Sequence, residues 1–328
     1  MSDALAFKLF AGALLLAATA PVAPSLAQDF PSRPITWVVP YPAGGNPDVM
    51  ARFVARGVSE KLGQPVLIDN KTGAAGIVGT EFALASKPDG YTILYASSSM
   101  MTVIPVINTK LTFSPQRDFA PVHGLGSYDM VLVTNASKPL KDVKSFVDYA
   151  KANPKKLNYG SAGVGTTAHM ASAYFQTLNN IEMTHIPFRG AGQSVPALLS
   201  NDIDFLFDYP STTKTLIEGG KLNALVVTGP TRMASLPNVP TLQESGYPNA
   251  SFSTWDIILA PAATPKDVRD KLAAAFEDVL SRPETAKFFE ERGAKPQAGF
   301  QGKKLDDFIA AESTKMKEIA DKVGVKAE

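Results

Sequence analysis

From residue 29 onward this 328-residue chain alternates between short apolar runs and amphipathic stretches of helical period. That alternation leaves few architectures open. Ile35-Thr36-Trp37-Val38-Val39 has the length and β-branched content of a buried strand. Residues 47–62 then place Met50, Phe53, Val54, Gly57, Val58 and Leu62 at i, i+3/i+4 spacing, which makes one apolar helix face. Asn46 is the expected N-cap, Pro47 suits the first helical position, and Gly63 ends the helix. Residues 66–68 and 91–96 read as second and third strands. Between them lies the glycine-rich loop 73–79, with Thr80 as the expected cap of a short helix to residue 87. This βαβαβ pattern predicts a largely parallel sheet covered by helices.

A second series begins near Met130. Strands are expected at 130–133, 157–159, 183–186, 205–207 and 222–227, with helices between them, one over 142–153 and one starting at Thr166. Residues 231–248 are rich in Pro, Gly and Asn and read as loop. A strand at 257–259 and helices near 266–280, 283–292 and 305–323 close the chain. The fold class is therefore α/β, as two similar halves. Ligands of open α/β sheets bind outside the carboxyl ends of the strands, so two facing halves imply a cleft between them.

Residues 1–27 read as a secretory signal. The apolar stretch 9–20 is too short for a bilayer, which needs roughly 20 residues. Pro21 and Pro24 break a helix, and Ser25-Leu26-Ala27 suits cleavage. Composition then excludes function classes. The charges, 32 basic and 31 acidic, give no global field for nucleic acid. The absence of cysteine removes disulfides, thiol nucleophiles and thiolate metal sites. Three histidines, His123, His169 and His185, make a multi-histidine metal site an unfavourable reading. No cofactor is expected.

Two glycine-rich turns each lead from a strand to a helix start. One is Pro40-Tyr41-Pro42-Ala43-Gly44-Gly45-Asn46-Pro47-Asp48, and the other is Tyr159-Gly160-Ser161-Ala162-Gly163-Val164-Gly165-Thr166-Thr167. Glycine lets the backbone approach a ligand, and a helix start offers orphan N–H donors with partial positive charge. Such turns suit a carboxylate or a phosphate without Lys or Arg. Gly163-x-Gly165-x-x-Ala168 also matches a dinucleotide fingerprint, but Glu182 stands at the start of a strand, where a ribose-binding acid does not belong. Gly160-Ser161-Ala162-Gly163 lacks the spacing of a serine-hydrolase elbow. His169, on the first turn of its helix, can donate to a ligand or fix the loop. Asp208 ends a strand and can meet a ligand hydroxyl or amine, or cap the next turn. Ser97-Ser98-Ser99, at another strand end, offers hydroxyl donors or a serine-capped helix. Arg189 is a mobile cation near the cleft, and Tyr41, Phe188, Tyr209 and Trp255 can form walls or simply pack.

Taken in order, several motifs resemble the substrate-binding proteins of tripartite tricarboxylate transporters, the Bug receptors. They are Pro40-Tyr41-Pro42-Ala43-Gly44-Gly45 with Asp48 and Ala51-Arg52, Gly63-Gln64-Pro65-Val66, Pro88-Asp89-Gly90-Tyr91-Thr92, Leu157-Asn158-Tyr159-Gly160-Ser161, Gly165-Thr166-Thr167 with His169, Ile186-Pro187-Phe188-Arg189-Gly190, Asp208, and Leu236-Pro237-x-Val239-Pro240-Thr241. The resemblance covers nearly the whole chain after residue 27. It implies a type II periplasmic binding protein-like, Venus-flytrap fold without catalysis. Lobe 1 would be 28–128 plus 254–328, and lobe 2 would be 129–253. It implies a small carboxylate ligand, whether an aliphatic di- or tricarboxylate, an acidic amino acid or an aromatic acid. The contacts would come from Tyr41, Ala43, Gly44, Gly45, Asn46, Ser97, Ser98, Ser161, Gly165, Thr166, Thr167, His169, Phe188, Arg189 and Asp208. The implied setting is the periplasm, as a monomer that serves membrane transporter subunits or a sensor and meets no nucleic acid. The departure is Asn46-Pro47, where relatives commonly carry Gly or Pro and then Ser or Thr. Pro47 has no N–H, so either the Asn46 side chain replaces that donor or the ligand is held differently. The competing readings are an exported hydrolase and a protein-binding signalling module.

Overall fold

Trp37, Tyr95 and Phe276 lie fully buried between one face of a six-stranded sheet and the helices that cover it. This computed structural model describes residues 29–108 and 110–323, so the expected signal segment 1–27 lies outside the described residues. In chain order the first elements are β1 (Ile35–Val39), α1 (Asn46–Leu62), β2 (Val66–Asn70), α2 (Ile77–Leu84) and β3 (Thr92–Ser97). A π-helical turn, Ser99–Val103, runs into α3 (Ile104–Ile107), and α4 (Pro115–Asp118) precedes β4 (Phe119–Asp129). The middle of the chain forms β5 (Val131–Asn135), α5 (Val143–Ala152), β6 (Asn158–Ser161), α6 (Thr167–Asn179), β7 (Thr184–Pro187), α7 (Ala191–Leu199), β8 (Phe205–Asp208), α8 (Pro210–Glu218) and β9 (Leu222–Val227). It closes with β10 (Ser253–Pro261), α9 (Lys266–Leu280), α10 (Pro283–Glu290), β11 (Ala294–Pro296) and α11 (Gly302–Val323).

The strands make two sheets, ordered β11-β4-β10-β3-β1-β2 and β7-β6-β8-β5-β9. Both are mixed, which corrects the largely parallel expectation. β1 pairs parallel with β2 and β3, and β6 pairs parallel with β7 and β8. β4 carries the chain out toward the second sheet and β10 brings it back, so the two must run oppositely; they pair antiparallel from Ser253↔Asp129 to Pro261↔Phe119. Met130 alone separates β4 from β5 in the other sheet. Thr228 ties the two crossings: its N–H donates to the Met130 carbonyl at 2.8 Å and its carbonyl accepts from Phe252 N–H at 3.1 Å.

Local signals explain most boundaries. Gly63 takes the left-handed conformation and closes α1. Asp142 caps α5 in a reciprocal box with Ser145. Two expected caps fail. Gly45, not Asn46, is the N-cap of α1, and Asn46 is its first helical residue. Thr80 lies inside α2, where its hydroxyl donates back to the Gly76 carbonyl at 2.9 Å.

α11 spans both sheets. Leu305 and Ile309 pack with Phe119, Trp255 and Ile257 of the first sheet. Met316, Ile319 and Ala320 join the core of the second sheet, together with Met100, Val103, Ile104 and Ile107 from the segment after β3. The carboxyl ends of β1, β3, β6 and β8 carry the residues described next.

Candidate functional site

The first turn is braced from within. Buried Asp48 accepts the Gly44 N–H at 2.8 Å and binds Arg52 (Nε, 3.0 Å) and Asn70 (Nδ2, 3.0 Å). Asn70 also donates to the Tyr41 carbonyl at 3.0 Å, which fixes the turn against β2. Gly45 N–H goes to the Pro42 carbonyl at 3.2 Å. Thus the two glycine amides expected to face a ligand are already used inside the turn. Gly44 is needed for its φ of 78°, not for a free donor. Among the described residues, the amides of Ala43 and Asn46 have no partner.

The second turn is built around two histidines. Their rings stack at 3.9 Å and 9°, with Tyr159 beside them. His169 Nδ1 accepts the Gly165 N–H at 3.0 Å. Ser161 Oγ donates to the Gly163 carbonyl at 2.9 Å, accepts the Gly163 N–H at 3.1 Å, and lies 2.6 Å from His185 Nε2. Burial pushes both imidazoles down to about 4, so both are neutral at physiological pH. Thr166 caps α6 in position but makes no side-chain cap bond; its hydroxyl donates to Gly163 at 2.7 Å. The amides of Thr167, Ala168 and His169 therefore stand open at the start of a 13-residue helix.

The register places Asp208 beside this turn, since β6 pairs with β8 through Gly160↔Leu206. Its Oδ1 accepts the Tyr209 N–H at 2.7 Å, whereas its Oδ2 is buried with no hydrogen-bond partner. Burial raises its carboxyl to about 6. Phe188 is half-buried and tied to the turn by its N–H on the Ser161 carbonyl at 2.9 Å. Arg189 is exposed, and its guanidinium has no ion pair among the described residues.

Ser97 Oγ lies 2.6 Å from the Tyr41 hydroxyl, and Ser98 is buried. Trp255 packs in the first sheet's core and donates to Glu312 at 3.2 Å, so it is not a wall. Sequence reasoning missed His185 and Asp256. Asp256 is buried on β10, opposite Ser97, and accepts from the Tyr95 hydroxyl; burial raises it to about 7. Its signal is an acidic residue directly before the apolar run Ile257-Ile258-Leu259. Tyr209 reaches the same region, 3.2 Å from Thr254 Oγ1.

Amides at a helix start, neutral donors and an unpaired carboxyl suit binding an anion that also carries a hydrogen-bond donor. Among the described residues there is no cluster of three or more potential metal ligands, and no helix is long and apolar enough to cross a membrane.

A family model for the tripartite tricarboxylate transporter family receptor matches residues 50–325. A protein of Pseudomonas sp. (strain P51), named UPF0065 protein in tcbD-tcbE intergenic region, is 34% identical over 313 residues, which is 95% of this chain and 93% of its own length. The structure of the periplasmic binding protein BugD aligns with a TM-score of 0.83 and 29% identity, over 91% of this chain and 100% of that one. The R. palustris protein Rpa4515 with adipate aligns with a TM-score of 0.85 and 28% identity, over 91% and 99%. The chain thus shares the two-lobed α/β fold of periplasmic binding proteins.

Proposed function

This chain belongs to the tripartite tricarboxylate transporter receptor family, and on that premise we propose that it captures a small organic carboxylate between its two sheets and delivers it to the transporter's membrane subunits. The observation that carries the reading is the open start of α6, where the amides of Thr167, Ala168 and His169 are unpartnered among the described residues, following a strand that pairs with the one ending at Asp208. Lobe 1 comprises 28–128 and 254–328, and lobe 2 comprises 129–253, with the end of α11 leaning on lobe 2. Ligand contacts come from the amides of Ala43 and Asn46 on one side and of Thr167, Ala168 and His169 on the other, with Ser161, Thr166 and Asp208 around them and Tyr41 and Phe188 as walls. A closed form that uses both lobes binds better than an open one, so ligand shifts the population toward closure. The receptor works in the periplasm as a monomer, exported by its leader.

It is not an enzyme. Ser161 and His185 are hydrogen-bonded, but an imidazole at about 4 is a weak base near neutral pH, and no carboxylate orients it among the described residues.

The test is thermal shift of the protein against aliphatic, aromatic and amino-acid carboxylates, with sugars as controls. Ligand at about 100 times its Kd adds roughly 2.7 kcal/mol, or several degrees at roughly 2–4 °C per kcal/mol. A shift with carboxylates alone, reduced in Ser161→Ala/Thr167→Ala, supports the reading. A shift with sugars alone, or none with any carboxylate, overturns it.

A further inference from the structure

Four tyrosines surround one buried acid where the two sheets meet. Asp256 is 8% exposed and lies on β10, opposite Ser97 of β3 and Gly126 of β4. The hydroxyls of Tyr41, Tyr95, Tyr128 and Tyr209 all lie within reach of its charge. Tyr95 donates to its carboxyl. Tyr128 stands two residues before the crossing at Met130, with its hydroxyl buried and not satisfied by a hydrogen bond of its own. Tyr41 packs edge-on against Tyr95. These three rings belong to first-sheet elements and the turn after β1.

The fourth ring does not. Tyr209 follows β8 of the second sheet, yet it packs against the cores of both sheets. Its ring meets Tyr128 edge-on at 6.0 Å, and its hydroxyl lies 3.2 Å from Thr254 Oγ1 on β10. Pro210, the next residue, sits so close to Gly293 that a Cβ there would lie 2.6 Å from Pro210 Cγ. The start of α8 is therefore seated on the first sheet beside the buried acid.

The groups facing Asp256 are neutral hydroxyls: Tyr95 and Ser97 from β3, Tyr128 from β4, Thr254 from β10, Tyr41 from the first turn and Tyr209 from the start of α8. Asp129 and Lys295 stand on the opposite face of the sheet, where Asp129 accepts from Ser253 Oγ at 2.6 Å. Asp208, one residue before Tyr209, is the other buried acid nearby. Among the described residues no ion pair reaches Asp256. A carboxylate buried among neutral groups is costly unless water reaches it. Burial raises Asp256 to about 7 from its usual 3.8, with the tyrosine hydroxyls opposing this only in part. An arrangement that admits water releases the proton nearer the usual value. The seated arrangement holds the proton more tightly, so rising pH weakens it across the interval between those two values. Of the four rings, Tyr209 is the one that a movement of the second sheet carries away.

We propose that Asp256, Tyr95, Tyr128 and Tyr209 form a proton-linked latch between the two sheets, in which the protonated acid keeps Tyr209 seated and loss of the proton frees it. The latch acts without ligand and sets how readily the two lobes part.

Hydroxyl-radical footprinting, read by peptide mass spectrometry, tests this on the ligand-free chain at about pH 5 and about pH 8. Both values lie above the titration of His169 and His185 at about 4. Oxidation of Tyr209 should rise roughly threefold or more at the higher pH, while Tyr91, just before β3, stays constant as the internal control. Asp256→Asn cannot ionise and should keep Tyr209 at its low-pH rate throughout. Equal wild-type rates at the two pH values overturn the latch, and so does a rise spread over the whole chain, which is general loosening. A rise that persists in Asp256→Asn also overturns it, because another group then drives the release. The wild-type comparison stands whether or not the variant folds.

Discussion

Ser99 Oγ donates to the Gly165 carbonyl at 2.6 Å, so the segment that follows β3 of the first sheet is bonded directly to the second glycine-rich turn. The contact is buried, with Ser99 7% exposed. It joins the segment after β3 to the turn that leads into α6.

Removing that hydroxyl leaves the Gly165 carbonyl without its side-chain partner. Ser99→Ala should therefore cost about 1 kcal/mol and lower Tm by roughly 2–4 °C. Differential scanning calorimetry reads this. An unchanged Tm means that the contact is replaced by water at no cost.

Gly44 and Gly165 share their backbone conformation but not their surroundings. A Cβ at Gly165 would lie 2.6 Å from Ile107 Cδ1, whereas a Cβ at Gly44 meets nothing within 4 Å. Both alanine variants carry left-handed strain of roughly 1 kcal/mol. Gly165→Ala adds overpacking of about 1–3 kcal/mol. Chemical denaturation should rank Gly165→Ala as the less stable of the two. The reverse order would show that the second turn moves away from α3 without cost.

Two buried groups set opposite pH trends. Burial raises Asp256 to about 7 from its usual 3.8, with the Tyr95 hydroxyl only partly opposing this. The folded state thus holds a proton that the unfolded chain has released, and stability falls as pH rises across that window. Asp256→Asn removes the effect. Its stability relative to wild type should rise between pH 4 and pH 8 by roughly 4 kcal/mol, at about 1.36 kcal/mol per unit. Denaturant midpoints across that range check the slope; a flat difference would mean that Asp256 is ionised in the fold.

His185 works the other way. Burial, and then the neighbouring His169, lower it from 6.5 to about 4. The unfolded chain binds the proton first, so stability is lost as pH falls from about 6.5 toward 4. His185→Gln should resist acid better than wild type by up to roughly 3 kcal/mol. The same midpoints test this, and equal acid sensitivity would place a charged imidazole in the stack.

Much of the fold is readable in the sequence because period and punctuation agree. The run Ile35–Val39, the apolar face of α1 and the stop at Gly63 all act within a few residues of one another. The antiparallel pairing of β4 with β10 is not readable, because it follows from the path of the chain between sheets. β4 itself hides behind Pro121, Gly124 and Gly126, which weaken any strand signal. Both turns of the candidate site show as Gly-rich links between strand and helix. Which of their amides stay open does not show, since that depends on Asp48 and His169 reaching back four residues. The Ser161–His185 contact joins residues 24 positions apart and becomes visible only when β6 and β7 pair.

The central claim is that a carboxylate sits on the amides at the start of α6. Backbone ¹⁵N–¹H NMR during titration with 4-hydroxybenzoate or 4-aminobutyrate reads those amides one by one. The account predicts that Thr167, Ala168 and His169 show the largest downfield proton shifts and saturate together with binding. Saturation that leaves these three unmoved, with shifts concentrated elsewhere, would contradict it.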